Sequence, residues 1–238
     1  MNWPTADMMA SVCPPGAGHR YEVLRKETVP ELIAALGAWE PNWSVGAASV
    51  FLREGYYDSC VFLDGGPQQN VFTILIRRGD ELAGMLSQER VVDALSLYAS
   101  LVVIAPAHRG SKALFEGDYL EEMAKLMGLE FIYTLVTLKH RAAQRYFESH
   151  GYTLVGFMPG YDRNEVAPGV IKRVVEVAFV KCLAGPEALL VPELSNMTST
   201  VRRAVRDHAR AGACLRRDLR TMTHGTTARC TPTLHDQP

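Results

Sequence analysis

The 238 residues are 47% hydrophobic and 21% charged, which is ordinary globular usage and excludes a wholly disordered or fibrous chain. At about 150 residues per domain they make one or two domains. Lys and Arg number 25 against 26 Asp and Glu, a net charge of -1, so net charge does not drive binding to nucleic acid or to a membrane surface. The longest apolar runs, near residues 101–105 and 174–180, are strand-sized and fall short of the roughly 18 residues of a membrane span. Five widely spaced cysteines (Cys13, Cys60, Cys182, Cys214, Cys230) contain no CxxC pair, which argues against a disulfide framework and a structural zinc. Cys60 and Cys182 read as small buried hydrophobes. The first 20 residues lack the basic start and apolar core of a signal peptide, so a cytoplasmic protein is expected.

Residues 1–19, rich in Pro, Gly and Ala, are expected to be a flexible leader. Residues 20–183 alternate strand and helix patterns. Tyr21, Glu22, Val23 and Leu24 read as a short strand. Pro30 sits where a helix can begin, followed by Leu32, Ile33, Leu36 and Trp39 at helical spacing, and a second helix is expected over 47–54. Residues 71–78 and 82–92 read as a hairpin turning at Gly79-Asp80, and 95–105 as a long strand ending at Pro106. Ala113, Gly117, Leu120, Ala124 and Met127 mark one face of a helix that Gly128 can cap. Residues 131–138 are apolar on both alternations, as in a strand buried on two faces. A helix over 141–150, stopped by Gly151, precedes strands at 152–157 and 174–180. A strand, a crossover helix and a strand over 95–138 pair most readily in parallel, which gives a mixed α/β sheet with helices on both faces.

The link from strand to helix carries the first chemical signal. It reads Pro106, Ala107, His108, Arg109, Gly110, Ser111, Lys112, Ala113, Leu114. A helix start offers unpaired N–H groups to a phosphate, a glycine lets the backbone come close, and Arg109 and Lys112 add charge. The same residues also suit an ordinary capped helix with two solvated cations. Neither GxGxxG nor GxxxxGK[ST] is present, which argues against a dinucleotide-binding dehydrogenase and a P-loop NTPase.

This loop, with Pro106-Ala107-His108-Arg109-Gly110 leading into an amphipathic helix, resembles the acyl-CoA diphosphate loop of the GNAT superfamily of N-acyltransferases. Downstream, residues 140–152 (HRAAQRYFESHGY) resemble the same family's Asn-x-x-Ala-x-x-x-Tyr-Glu-x-x-Gly-Phe segment. The resemblance implies a GNAT-like mixed, splayed central β-sheet over residues 20–183. It implies acetyl-CoA or another acyl-CoA as co-substrate, without a metal, lying between two parallel strands that part. Backbone N–H groups near Val103 and Ile104 would meet the pantetheine and the acyl carbonyl. Arg109, Gly110, Ser111, Lys112, Ala113 and Leu114 would wrap the diphosphate, and His140 stands at the family's Asn position. The chain departs from the pattern at Lys112 and Leu114, where the family has small residues, and at Phe147, where it has the Tyr that protonates the leaving thiolate.

Amide formation from a thioester needs a neutral amine, a stabilised oxyanion and a proton for the thiolate. Tyr146, one residue from the family's position, and Tyr98, on the strand leading to the cleft, are the candidate acids or relays. Glu89 and Asp93, across the mouth, are the candidate bases. His108 is expected to face water. A long loop over 158–169, carrying Tyr161, Asp162, Arg163 and Glu165, is expected to border the acceptor. From residue 184 the chain is Arg- and Thr-rich; Val201, Val205, Ala209, Gly212, Leu215 and Leu219 form a thin apolar stripe, read as partly helical or disordered. The expected activity is direct N-acyl transfer, most simply of acetyl, to a small-molecule or peptide amine. No membrane or nucleic-acid partner is expected, and a homodimer is left open. The alternative is an acyl-CoA-binding sensor or interaction module that has lost transfer.

Overall fold

The computed structural model describes residues 1–109, 117–190 and 193–211. The chain divides into a compact unit over Met1–Ala188 and a second over Leu189–Pro238. In the first unit the elements run α1 (Ala6–Val12), β1 (His19–Val23), α2 (Val29–Trp39), α3 (Glu54–Cys60), β2 (Val61–Phe62), β3 (Val71–Arg78), β4 (Glu81–Val91), β5 (Ser96–Ile104), α4 (Tyr119–Met127), β6 (Phe131–Thr137), α5 (Ala142–Ser149), β7 (Thr153–Ala167) and β8 (Val170–Cys182). The second unit holds α6 (Ser199–Ala211), on which Val201 is exposed; Gly212, Leu215 and Leu219 lie outside the described residues. No helix among the described residues is long and apolar enough to cross a membrane.

The eight strands form one sheet in the order β1-β3-β4-β5-β6-β8-β7, with β2 alongside β3. Its neighbours are antiparallel except β2 with β3 and β5 with β6. Period-two alternation sorts the apolar side chains onto two faces, so a core lies on each side of the sheet. On one face Phe72, Ile74, Ile76 and Leu86 meet Leu120, Met123 and Met127 of α4 and Phe147 of α5. On the other, Leu75, Met85 and Val103 meet Leu32 and Leu36 of α2 and Tyr57 of α3. Helix boundaries follow local chemistry: Pro30 opens α2, the Asp118 carboxylate caps α4 by accepting from the Glu121 N–H, and Gly128 ends it at φ +68°.

Four expectations need correcting. Residues 1–19 are not a free leader: α1 packs on the sheet, Met9 and Cys13 are fully buried, and Trp3 stacks on Phe72 at 5.0 Å. A high Pro and Gly content concealed three apolar anchors. The helix expected over 47–54 is a 3-10 turn over Ala47–Leu52, and the α-helix follows as α3. Strand β6 is buried on one face only, because Phe131, Tyr133 and Leu135 face a side that the neighbouring strands leave partly open. Residues 158–167 are not a loop but part of a 15-residue β7, paired with β8 almost to the turn at 168–169. Its alternation is broken where residues 159–161 face Val175 alone, with Gly160 at φ +72°, a bulge that hides a strand from pattern reading.

The docking of α1 makes a direct prediction. Met9→Ala removes a fully buried side chain from the core and should lower unfolding free energy by about 2–4 kcal/mol, read by urea denaturation. A free leader would leave the midpoint unchanged.

Candidate active site at the parting of two parallel strands

Strands β5 and β6 pair over four rungs only, from Ser96–Phe131 to Ala99–Thr134, although β5 continues to Ile104 and β6 to Thr137. The parting begins where β5 carries an extra residue. Gln88 of β4 faces Ala99 and Ser87 faces Leu101, so Ser100 is a bulge, and its hydroxyl donates to the Ser87 carbonyl at 2.8 Å. On the β6 side the buried Thr134 hydroxyl donates to the Ala99 carbonyl at 2.9 Å, in place of a further ladder bond.

Beyond that point β5 has one open edge. The Ala105 N–H donates to the Ala83 carbonyl at 2.9 Å, and antiparallel alternation then turns the N–H groups of Val103 and Leu101 towards β4 as well. Val102 and Ile104 therefore aim theirs into the gap. Of the two residues expected to present N–H groups there, Ile104 does and Val103 does not; Val102 takes its place.

The remaining expected binding residues fall as follows. Arg109 folds back, its Nε donating to the Ile104 carbonyl at 3.0 Å and its guanidinium pairing with Glu40 at the end of α2. It closes the top of β5 and is half exposed. Gly110, Ser111, Lys112, Ala113 and Leu114 lie outside the described residues. His140 is exposed just before α5, its carbonyl accepting from Gln144 Nε2 at 2.9 Å. His108 is buried rather than solvent-facing, with Nε2 3.4 Å from a Glu81 carboxylate oxygen.

The candidate catalytic residues part to opposite faces of the sheet. Tyr146 lies on the α4–α5 face, where its hydroxyl donates to Asp118 Oδ1 at 3.3 Å beside that of Tyr152 at 3.2 Å. Lys181 of β8 completes this knot by donating to Asp118 Oδ2 at 3.0 Å, to the His150 carbonyl at 2.8 Å and to Glu121. Burial, and then the Asp118 charge, push the Tyr146 hydroxyl well above its ordinary range, so it holds its proton. Phe147 is buried against Tyr152 and Phe179.

Tyr98 points to the other face. Its ring stacks on Tyr133 at 5.0 Å and its hydroxyl lies near Tyr161, which the β7 bulge presents. Burial, then Tyr161 and Glu176, raise the Tyr98 hydroxyl above its usual range. Glu89 faces Tyr98 across β4 and β5 and is exposed, close enough to Tyr56 of α3 and to Tyr133 to act on both electrostatically. Asp93 lies before β5 begins, at the end remote from the gap.

Sequence reasoning missed Glu176. On β8 it is opposite Thr137, and its carboxyl makes no hydrogen bond or ion pair among the described residues. Burial, and then Asp162, raise its pKa above the ordinary carboxyl value. The available signal was one carboxylate in an otherwise apolar strand, Val174-Val175-Glu176-Val177-Ala178-Phe179-Val180. Asp162 is held, accepting from the N–H groups of Ala47 at 2.8 Å and Arg163 at 2.7 Å. Ser44 donates to Glu165, so the long hairpin is tied to the segment after α2.

No family model and no curated protein matches the sequence. Solved structures do. Mutant forms of the spermidine/spermine N-acetyltransferase SpeG from Vibrio cholerae align with a TM-score of 0.54 at 11% identity, over 70% of this chain and 95% of that one. A ribosomal-protein-S5-alanine acetyltransferase from Vibrio fischeri aligns with a TM-score of 0.50 at 10% identity, over 69% and 93%. With its open mixed sheet and a parallel pair that parts midway, the chain has the fold of the GNAT acetyltransferases.

Proposed function

We propose that this chain is a cytoplasmic N-acyltransferase that moves an acyl group, most simply acetyl, from CoA to an amine in one ternary complex. The observation that carries this reading is the gap between β5 and β6, with the Val102 and Ile104 N–H groups turned into it. Such an edge can pair with an amide-bearing arm as a strand would, and a preset N–H can stabilise negative charge on a carbonyl oxygen. Acyl-CoA supplies the activated carbonyl. The chain would hold the pantetheine along β5, receive the diphosphate on the segment from Arg109 to Leu114, and admit the amine from the face that Tyr98 and Tyr133 line. His140 would border the nucleotide end.

Tyr146 is assigned a packing role, since its hydroxyl is committed to Asp118 on the opposite face. The thiol, with an ordinary pKa of about 8.5, can leave as thiolate and take its proton from solvent or from the amine. The second reading, binding without transfer, is favoured by Phe147 standing where an acid would.

Two experiments test this. Calorimetric titration with acetyl-CoA should show binding that Lys112→Glu weakens about tenfold or more, since a charge-assisted contact is lost and a repulsive one made. Thiol release with an amine panel then separates transfer from binding alone. Tyr146→Phe should cost about 1 kcal/mol of stability in chemical denaturation and leave kcat within about twofold; a hundredfold loss of kcat would return Tyr146 to the reaction.

A further inference from the structure

The face of the sheet that meets the gap has a chemical character that acyl transfer alone does not require. Four tyrosines reach it from four elements: Tyr56 from α3, Tyr98 from β5, Tyr133 from β6 and Tyr161 from the β7 bulge. Two carboxylates flank them. Glu176 is half-buried, close enough to Tyr98 to act on its hydroxyl and with Asp162 beside it, and Glu89 lies at the exposed rim by Tyr56 and Tyr133. Neither carboxylate pairs with a Lys or Arg among the described residues. On the opposite face Lys181 of β8 pairs with both Asp118 and Glu121. A half-buried carboxylate without a cation is costly to keep, and tyrosine rings attract cations to their faces.

We propose that this tyrosine-walled surface selects a cationic amine as acceptor, seating its ammonium against Glu176 beside the stacked Tyr98 and Tyr133 rings. A second positive charge on the same molecule faces Glu89. The inference rests on the acyl-transfer reading above and specifies its acceptor. Glu176 is also the group that makes the amine reactive. The ammonium gives one proton to the Glu176 carboxylate, and the nitrogen lone pair then forms the C–N bond. When the C–S bond breaks, its electron pair stays on sulfur, and the second proton lost by nitrogen goes to the thiolate. Glu176 returns its proton to solvent. Amide, thiol and one released proton balance the ammonium and the thioester. The groups close to Glu176 are Asp162 from β7 and Tyr98 from β5; burial and Asp162 both raise its affinity for a proton, which suits a base.

The test uses the full chain, acetyl-CoA, and three acceptors of matched length: butane-1,4-diamine, butylamine and 4-aminobutanoate. The expected order of kcat/KM follows positive charge, with the diamine at least tenfold above the amino acid. Glu176→Gln should lower kcat/KM for the diamine by about a hundredfold, the scale of a lost general base. It should also remove the acid limb of the pH profile, on which activity falls as pH drops through the raised Glu176 pKa. The same variant should bind acetyl-CoA within twofold of the parent and melt no lower, because it deletes an uncompensated charge. Glu89→Gln should raise KM for the diamine by a larger factor than for butylamine. Equal kcat/KM across the panel, or a Glu176→Gln enzyme as fast as the parent, overturns the inference while acetyl-CoA still binds. Failure of the parent to bind acetyl-CoA overturns the acyl-transfer reading instead.

Discussion

The site depends on a ladder that stops. Strands β5 and β6 could pair to their ends, yet they separate after Ala99 and Thr134. One inserted residue accomplishes this. Ser100 forces β5 to bend against β4, and the Thr134 hydroxyl takes the Ala99 carbonyl that would otherwise seek a partner on β6. Unpaired backbone groups are expensive when buried, so a sheet keeps an open edge in its middle only where solvent or a ligand can reach it. The bulge also shifts side-chain parity. Tyr98 before it and Leu101 and Val103 after it share one face, which a regular strand would not allow.

Strand β8 then divides the electrostatics between the two faces. Lys181 and Glu176 are five residues apart, an odd number, and no register break separates them in the pairing with β6. Alternation therefore sends them to opposite sides. Lys181 reaches the α4–α5 side and binds Asp118, the cap of α4, so the charge that begins one helix also anchors the tyrosines of its neighbours. Glu176 reaches the α2–α3 side, with no such partner among the described residues. On the α4–α5 face Lys181 closes a hydrogen-bond network; on the α2–α3 face Glu176 pairs with no cation among the described residues.

Much of this was legible from residue order. Element order from residue 71 onward, the parallel pair and the helix ends followed from periodicity, Pro30, Gly128 and Gly151, because such signals are local. The errors share a physical origin in contacts distant along the chain. Residues 1–19 look unstructured because composition hides their anchors: Trp3 stacks on Phe72 far along the chain, and Met9 and Cys13 join the same core. The stretch 158–167 looks like a loop because a bulge interrupts its alternation, and Phe131, Tyr133 and Leu135 look buried because aromatic residues in strands usually are. Which N–H groups open into the gap depends on cross-strand phase, so Val103 and Val102 could not be told apart from sequence.

The candidate acid shows the same limit in sharper form. Tyr146 and Tyr98 are both tyrosines near the cleft in sequence terms, and each has a hydroxyl held protonated by burial. Their partners distinguish them. Tyr146 donates to a carboxylate already bound to Lys181, so moving its proton would disturb a network that caps α4 and fixes Tyr152. Tyr98 lies near a second tyrosine on a strand bulge and near Glu176, and no Lys or Arg among the described residues pairs with that carboxylate. A hydroxyl locked into a saturated network contributes stability, whereas one in an unsaturated network is available to a ligand. The sheet places one of each on its two faces, and only the second stands one rung before the parting of β5 from β6 on the face that Glu176 shares.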